Sequence, residues 1–515
     1  MRSTQRQFIL WGSLLALCAA MVVVWGYTFG HENSIQLIPF ALHAHDPSLY
    51  DQDFFVSHAA ARFPNERSFF MLLLMPFGNN LEWPSFIIYV VCSLLLFRAL
   101  YGIAIHLLED PWYAFGALML LIFPLNFHTL GLNELFGREL STSLLSDTAC
   151  AWAIWHFLQH KKWSPWLLLI FATLMHPLSG LQVFLLISAT LFTQSVLSHR
   201  VSQFFRMYGL QIALYMFTGG AFIIALQLGL DDTQWDDATF FQTFFVFRNA
   251  HHYIPTAFPH KDWVLLGPLY LITPFLLYRQ SKALFIFSLW IIGGCIAYSF
   301  CVLQLHSVTV ATAQWFKSTM WLEWFMIIAI MLTGKTLITN IKGRSYGPAI
   351  YALTVLVSVA WLLIVFPQYR FWKINTAYEL PFYEVTTPEI DISRQVKERT
   401  AKSDFLIQPA GMDELKYYSE RSSFVDYKAL THTKGFIKEW SRRFELVYDI
   451  DPATSKVISF DAVRLADEHF RALTPEKLRE LHQTYAISHI VTFADVQLPF
   501  ALLYKNEKYA LYQLY

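Results

Sequence analysis

A chain of 515 residues with 55% hydrophobic and 17% aromatic residues but only 15% charged ones is too apolar for a soluble globular protein, and its mean hydropathy of +0.38 agrees. Its 38 Lys and Arg balance 38 Asp and Glu, so the zero net charge argues against a nucleic-acid partner, which would call for a basic patch. All five cysteines (Cys18, Cys92, Cys150, Cys295, Cys301) lie in apolar stretches, which leaves no disulfide framework and no cysteine metal motif.

In chain order, apolar runs that approach a bilayer's thickness recur at 8–28, 84–108, 111–127, 141–158, 163–176, 178–197, 206–228, 263–278, 283–304, 318–334 and 346–366. They predict an α-helical polytopic membrane protein with about 11 transmembrane helices. The first run follows Arg2 and Arg6, but it is longer than the apolar core of a signal peptide and reads as a signal anchor. Arg2, Arg6, Lys161, Lys162, Arg200, Arg206, Arg279, Lys282, Lys335, Lys342 and Arg344 then fall on one side of the alternating connections. Positive residues resist translocation, so that side is expected to be cytoplasmic. An odd number of spans carries everything after the last one outside.

Two parts are expected: a transmembrane domain over 1–366, with an external amphipathic loop at 29–67, and an extracytoplasmic soluble α/β domain over 367–515. The second part shows short β-like runs at 404–408, 423–427, 487–493 and 509–514, separated by helical patterns. Among the latter, Thr474 reads as an N-cap with Pro475 in the first helical position. In the external loop, Ile35, Ile38 and Leu42 recur at helical spacing and predict a helix lying along the membrane surface.

The unusual polar residues gather in the connections assigned to the outside. Glu32 opens the long first loop, followed by Asp46, Asp51 and Asp53; such carboxylates can act as a general base or hold a divalent cation. The plainer reading is a turn at Asp46-Pro47 and helix caps at Asp51 and Asp53. The second outer connection carries Asn133, Glu134, Arg138 and Glu139, His176 stands before Pro177, and Arg248, His251, His252 and Lys317 follow in later connections. Arg, Lys and His at one surface suit a phosphate or diphosphate, since Arg offers a bidentate fork, Lys a point charge and His a donor. The pair His251-His252 lacks a third ligand and so does not specify zinc. Within the spans, Arg98, Asp147 and Glu323 are expected to face a polar interior or one another, because charge in lipid is costly.

A first helix, a long outer loop opening with an acid, many further spans and an outer C-terminal domain resemble the GT-C-type glycosyltransferases that use polyprenyl-phosphate-linked sugars. The runs 30–37 and 46–53, the His176-Pro177 step, and the segments 420–428 and 439–443 also resemble a group of bacterial multi-pass membrane proteins of unassigned activity. The GT-C resemblance implies transfer of a sugar or related group from a polyprenyl-phosphate carrier, a membrane lipid, to an acceptor outside a bacterial inner membrane. By position it places Glu32 as the base, with Asp51 or Asp53 as a second acid or cation ligand. Arg138, Arg248, His251, His252 and Lys317 would contact the phosphate, and His176 would position substrate. The sequence departs from that pattern where the usual Asp is replaced by Glu32.

Two rivals remain. A transporter or flippase of a lipid-linked or anionic substrate would use the same charges along a passage, although no symmetry between two halves is visible. A noncatalytic scaffold would bind a partner through the C-terminal part, where the plainer reading of Asp426, Lys428, Trp440, Arg442 and Arg443 is surface ion pairs and packing contacts.

Overall fold

The computed structural model describes residues 3–30, 32–125, 128–342, 346–369, 380–382 and 386–515. Arg2, His31 and Arg344 lie outside the described residues. Each expected apolar run holds a helix, and among the described residues seven helices are long and apolar enough to cross a membrane, so the chain is a multi-pass membrane protein. Pro111–Ile122 and Ser164–Met175 are shorter apolar helices. At about 1.5 Å per residue neither alone matches a hydrocarbon core of about 30 Å. The Thr142–Leu158 helix packs between Glu82–Leu108 and Ser164–Met175, and Pro111–Ile122 packs on Thr319–Lys342 and Gly347–Tyr369. The boundary expected at 366/367 falls inside this last helix.

Arg98 resolves its charge by stacking, with its guanidinium 4.4 Å from the Trp155 ring centroid. Asp147 and Glu323 are buried, and each keeps one carboxylate oxygen without a hydrogen-bond partner among the described residues.

The C-terminal part is a small α/β domain. Its five described strands are β1 (Phe405–Ile407), β2 (Ser422–Ser423), β3 (His489–Phe493), β4 (Ala501–Lys505) and β5 (Tyr509–Gln513), in the order β2-β1-β3-β5-β4. The first three pair in parallel, and β5 runs antiparallel to β3 and β4. Thr474 caps the Pro475–Tyr485 helix by accepting from the Lys477 N–H at 3.2 Å, as its sequence signature predicts. The run expected over 423–427 pairs only at Ser422 and Ser423, and β4 is an edge strand that the sequence reading did not anticipate.

The long first loop joins the two parts. It forms a 3-10 turn at Glu32–Gln36 and helices at Ile38–His45, Phe54–Ala61 and Ser68–Leu74. Ile35, Ile38 and Leu42 are buried, so the expected surface-lying face packs against protein instead of lipid. Helical periodicity is the same for either apolar partner.

At the centre of the junction, Lys416 of the C-terminal domain (1% exposed) meets Asp53 of the loop (0% exposed) at 2.7 Å and Asp426 at 2.8 Å. Asp53 also accepts from the Val56 N–H at 2.9 Å, as N-cap, and from the Ser423 N–H at 3.0 Å. Burial works against the Lys416 ammonium, but Asp426 and Asp53 outweigh it and hold its pKa above the usual value. Arg67 adds a bond to the Leu430 carbonyl at 2.6 Å, and the Tyr50 hydroxyl donates to the Lys416 carbonyl at 3.0 Å.

Removing one partner strands a buried charge, at a cost of about 3–5 kcal/mol. Lys416→Met and Asp53→Ala should each lower the thermal unfolding midpoint and expose the C-terminal domain to limited proteolysis. Unchanged midpoint and cleavage in both variants would remove the cluster as the docking element.

Candidate functional site

The long first loop, later connections and the C-terminal domain line a cavity of about 1390 Å³. Seven residues singled out from sequence line it: Glu32, Arg138, His176, Arg248, His251, His252 and Lys317. Asp51 and Asp53 do not. Asp51 is exposed elsewhere, and all four hydrogen bonds that Asp53 accepts are spent on the helix cap and the docking cluster. A carboxylate held this way, away from the cavity, is not available as a base or cation ligand there, which corrects the roles expected of both. At one side the cavity meets apolar helix surfaces through Met21, Val24, Trp25 and Trp361.

Local structure fixes each polar group. The Thr28 N–H donates to the Arg138 carbonyl at 2.9 Å, which sets the Glu32 segment beside Arg138. The Arg138 guanidinium donates to Glu32 Oε1 at 3.0 Å. Behind them, Asn33 and Ser34 donate to the buried Glu139 carboxylate at 2.6 and 3.2 Å. Lys317 projects from the 3-10 turn Trp315–Ser318 and donates to the Ser143 hydroxyl at 2.9 Å. That turn is tied down by Gln182, whose amide donates to the carbonyls of Ala313 and Gln314 at 2.7 and 3.0 Å. Arg248 ends a π-helical stretch, Phe241–Arg248, donates to the Tyr427 carbonyl at 2.8 Å and stacks 4.0 Å from the Tyr427 ring centroid. π-Helical turns recur at functional sites. Four cavity residues, Glu32, Leu132, Gln314 and Ser459, hold left-handed backbone at φ 52°, 53°, 42° and 53°, a cost that proteins tolerate where geometry matters.

Burial pushes the pKa of His176, His251 and His252 down. Burial first, then the neighbouring His252, Arg248 and Lys428, push His251 down to about 2. Burial also lowers His252 to about 4, against its bond to the Gly131 carbonyl. That bond, at 2.8 Å, places the ring proton on Nδ1 and leaves Nε2 as an acceptor, so His252 cannot donate to a phosphate as its sequence context suggested. His251 shares a hydrogen bond with the Ser459 hydroxyl at 3.1 Å, and the neutral His176 ring accepts the Ser179 N–H at Nδ1, leaving its Nε2–H as a donor. Positive charge comes from Arg62, Arg67, Arg138, Arg248, Lys317 and Lys428.

Glu134 is the residue the sequence reading quoted but gave no role. Its carboxylate is set deep in the protein, yet 48% of its side-chain surface is open, because it faces the cavity space. Burial and the nearby Glu32 raise it to about 7, against Arg138 and Lys317. A carboxyl poised near neutrality is suited to general acid–base work. No group of three or more His, Cys, Asp or Glu among the described residues could hold a metal ion.

Residues 387–447 match a family described as a domain of unknown function, DUF6798. No curated protein matches the chain. Among solved structures, the chain is similar to the Archaeoglobus fulgidus oligosaccharyltransferase in complex with zinc and sulfate, at 12% identity and TM-score 0.44, over 94% of this chain and 68% of that one. It is also similar to ArnT from Cupriavidus metallidurans bound to undecaprenyl phosphate, at 11% identity and TM-score 0.49, over 100% of this chain and 99% of that one. The apo state of that ArnT gives 11% identity and TM-score 0.46, over 100% and 98%.

Because the folded pKa of Glu134 lies above the usual carboxylate value, its protonated form favours the fold. That contribution is complete at about pH 4, is lost as pH rises toward about 7, and changes little above. Glu134→Gln should therefore raise the unfolding midpoint at about pH 8 but not at about pH 4. Solvent in the cavity screens the effect to the order of 1 kcal/mol. An equal change at both values would show that the carboxyl titrates like an exposed one.

Proposed function

We propose that the cavity transfers a sugar or related group from a polyprenyl-phosphate carrier to an acceptor on the outer side of a bacterial inner membrane. One observation carries this reading: a single cavity joins apolar helix surfaces to a cluster of Arg138, Lys317 and Arg248 beside the near-neutral Glu134. An amphiphile with an anionic head matches that arrangement, its chain on the apolar side and its phosphate among the cations.

Arg138, oriented by Glu32, and Lys317 receive the phosphate and stabilise it as it leaves. Glu134 takes the proton from the acceptor hydroxyl as the new bond to the sugar carbon forms and the carbon–phosphate oxygen bond breaks. The lipid phosphate departs with the bonding electrons, and the sugar carbon inverts. In this assignment the base is Glu134, while Glu32 holds the phosphate-binding arginine. The neutral Nε2 of His252 is an acceptor for a substrate hydroxyl. Loop-borne charge gathered in one chamber favours this reading over a passage for transport.

Arg138→Ala and Lys317→Ala should each weaken binding of undecaprenyl phosphate to the protein in nanodiscs by roughly tenfold or more, as charge-assisted bonds of about 1.5–3 kcal/mol require. Glu134→Gln should keep that binding while abolishing transfer. Binding unaffected by both cation variants would sink the carrier assignment. A reporter fused after Tyr515 should report an outer location; a cytoplasmic signal would contradict the orientation.

A further inference from the structure

The cavity has a second end, built by the C-terminal domain, that the phosphate chemistry leaves unused. Its wall includes Ala410, Gly411, Asp413, Lys428, Ser459 and Phe460. Phe460 opens the Ser459–Arg471 helix with 66% of its surface exposed. Because the ring lines the cavity, its exposed face is open to a ligand there.

The surroundings hold the ring in place. Its centroid lies 4.6 Å from the His251 ring at a 35° tilt, and His251 in turn lies 4.1 Å from His252. The preceding residue, Ser459, keeps its left-handed backbone with two anchors: its carbonyl accepts from the Tyr427 hydroxyl at 2.9 Å, and its hydroxyl pairs with His251 at 3.1 Å. Gly411 packs so closely on the same helix that an added Cβ would come within 2.9 Å of Asp467 and 3.3 Å of Val463. That contact brings the segment carrying Asp413 against the helix carrying Phe460. Arg248 donates to the Lys428 carbonyl at 3.5 Å, which joins the Lys428 segment to the same wall. Burial raises the Asp413 carboxyl to about 7, opposed chiefly by Lys428, so it can both donate and accept near neutrality.

The lining of one cavity thus offers an exposed aromatic face together with a carboxyl, an ammonium and imidazoles, groups whose chemistry can hold a sugar ring. The C–H face stacks on the aromatic ring, and the hydroxyls pair with the polar groups. We propose that Phe460, Asp413 and Lys428 form a saccharide subsite at the C-terminal-domain end of the cavity. This inference rests on the group-transfer reading for its meaning, but its binding can be measured without any transfer.

The test is saturation-transfer NMR on the full chain in nanodiscs with three free probes: methyl glucoside, N-acetylglucosamine and glucuronate. At least one should receive saturation at its ring protons. Phe460→Ala should weaken its apparent affinity about five- to tenfold, Phe460→Trp should retain it, and Lys428→Met should weaken it. The Phe460 side chain is exposed, so an unchanged unfolding midpoint checks that its variants remain folded. No saturation transfer with any of the three probes, or equal affinity in wild type and Phe460→Ala, overturns the subsite. Displacement of the bound probe by a polyprenyl-phosphate-linked form of the same sugar, but not by bare carrier, assigns the subsite to the donor. Displacement by neither assigns it to the acceptor. Sugar binding in a protein that fails to bind undecaprenyl phosphate would keep the subsite while removing the carrier reading.

Discussion

One buried ammonium between two carboxylates holds the functional architecture together. Lys416 satisfies Asp53 from the long first loop and Asp426 from its own domain, within a junction that excludes water. Ions buried this way cost desolvation energy unless every lone pair is met, and Asp53 meets that demand with bonds from Lys416, Val56 and Ser423. The net gain over an apolar packing is small, but the geometric demand is strict. These contacts hold the C-terminal domain on the loop, and its surface supplies part of the cavity wall.

Electrostatics inside the chamber follow from that enclosure. Crowded by protein and by arginines, the histidines shed their protons, while the carboxyls of Glu134 and Asp413 rise toward neutrality. Fixed positive charge resides in arginine and lysine along the cavity wall, beside carboxyls able to exchange protons.

Much of the fold was legible because hydropathy and cap chemistry are local. Every expected apolar run contains a helix, and Thr474 with Pro475 marks a helix start correctly. Strand β4 escaped because an exposed edge strand has no buried face to impose alternation. The run Ile35, Ile38, Leu42 gave the right periodicity but the wrong partner, since lipid and protein select the same pattern.

The site was legible in its parts, not in its assembly. Glu32 and Arg138 are 106 residues apart, and Asp53 and Lys416 are 363 apart, so no local signal separates an acid that serves the chamber from one that serves the junction. Asp53 looked like a base and is a cap and an ion-pair partner. Glu134 stood in the quoted motif, but its raised pKa depends on burial and on Glu32, which only the fold brings together. Phe460 carried no signal at all, because an aromatic residue at the start of an amphipathic helix ordinarily reads as core.

The most direct measurement is a high-resolution structure of the full chain in lipid nanodiscs with undecaprenyl phosphate added. The phosphate should lie within hydrogen-bond distance of Arg138 and Lys317, with Glu134 beside it and the isoprenoid chain leaving past Trp25 and Trp361. Carrier density confined to the surrounding lipid, with the chamber unfilled, would contradict the assignment of this cavity to a lipid-linked substrate.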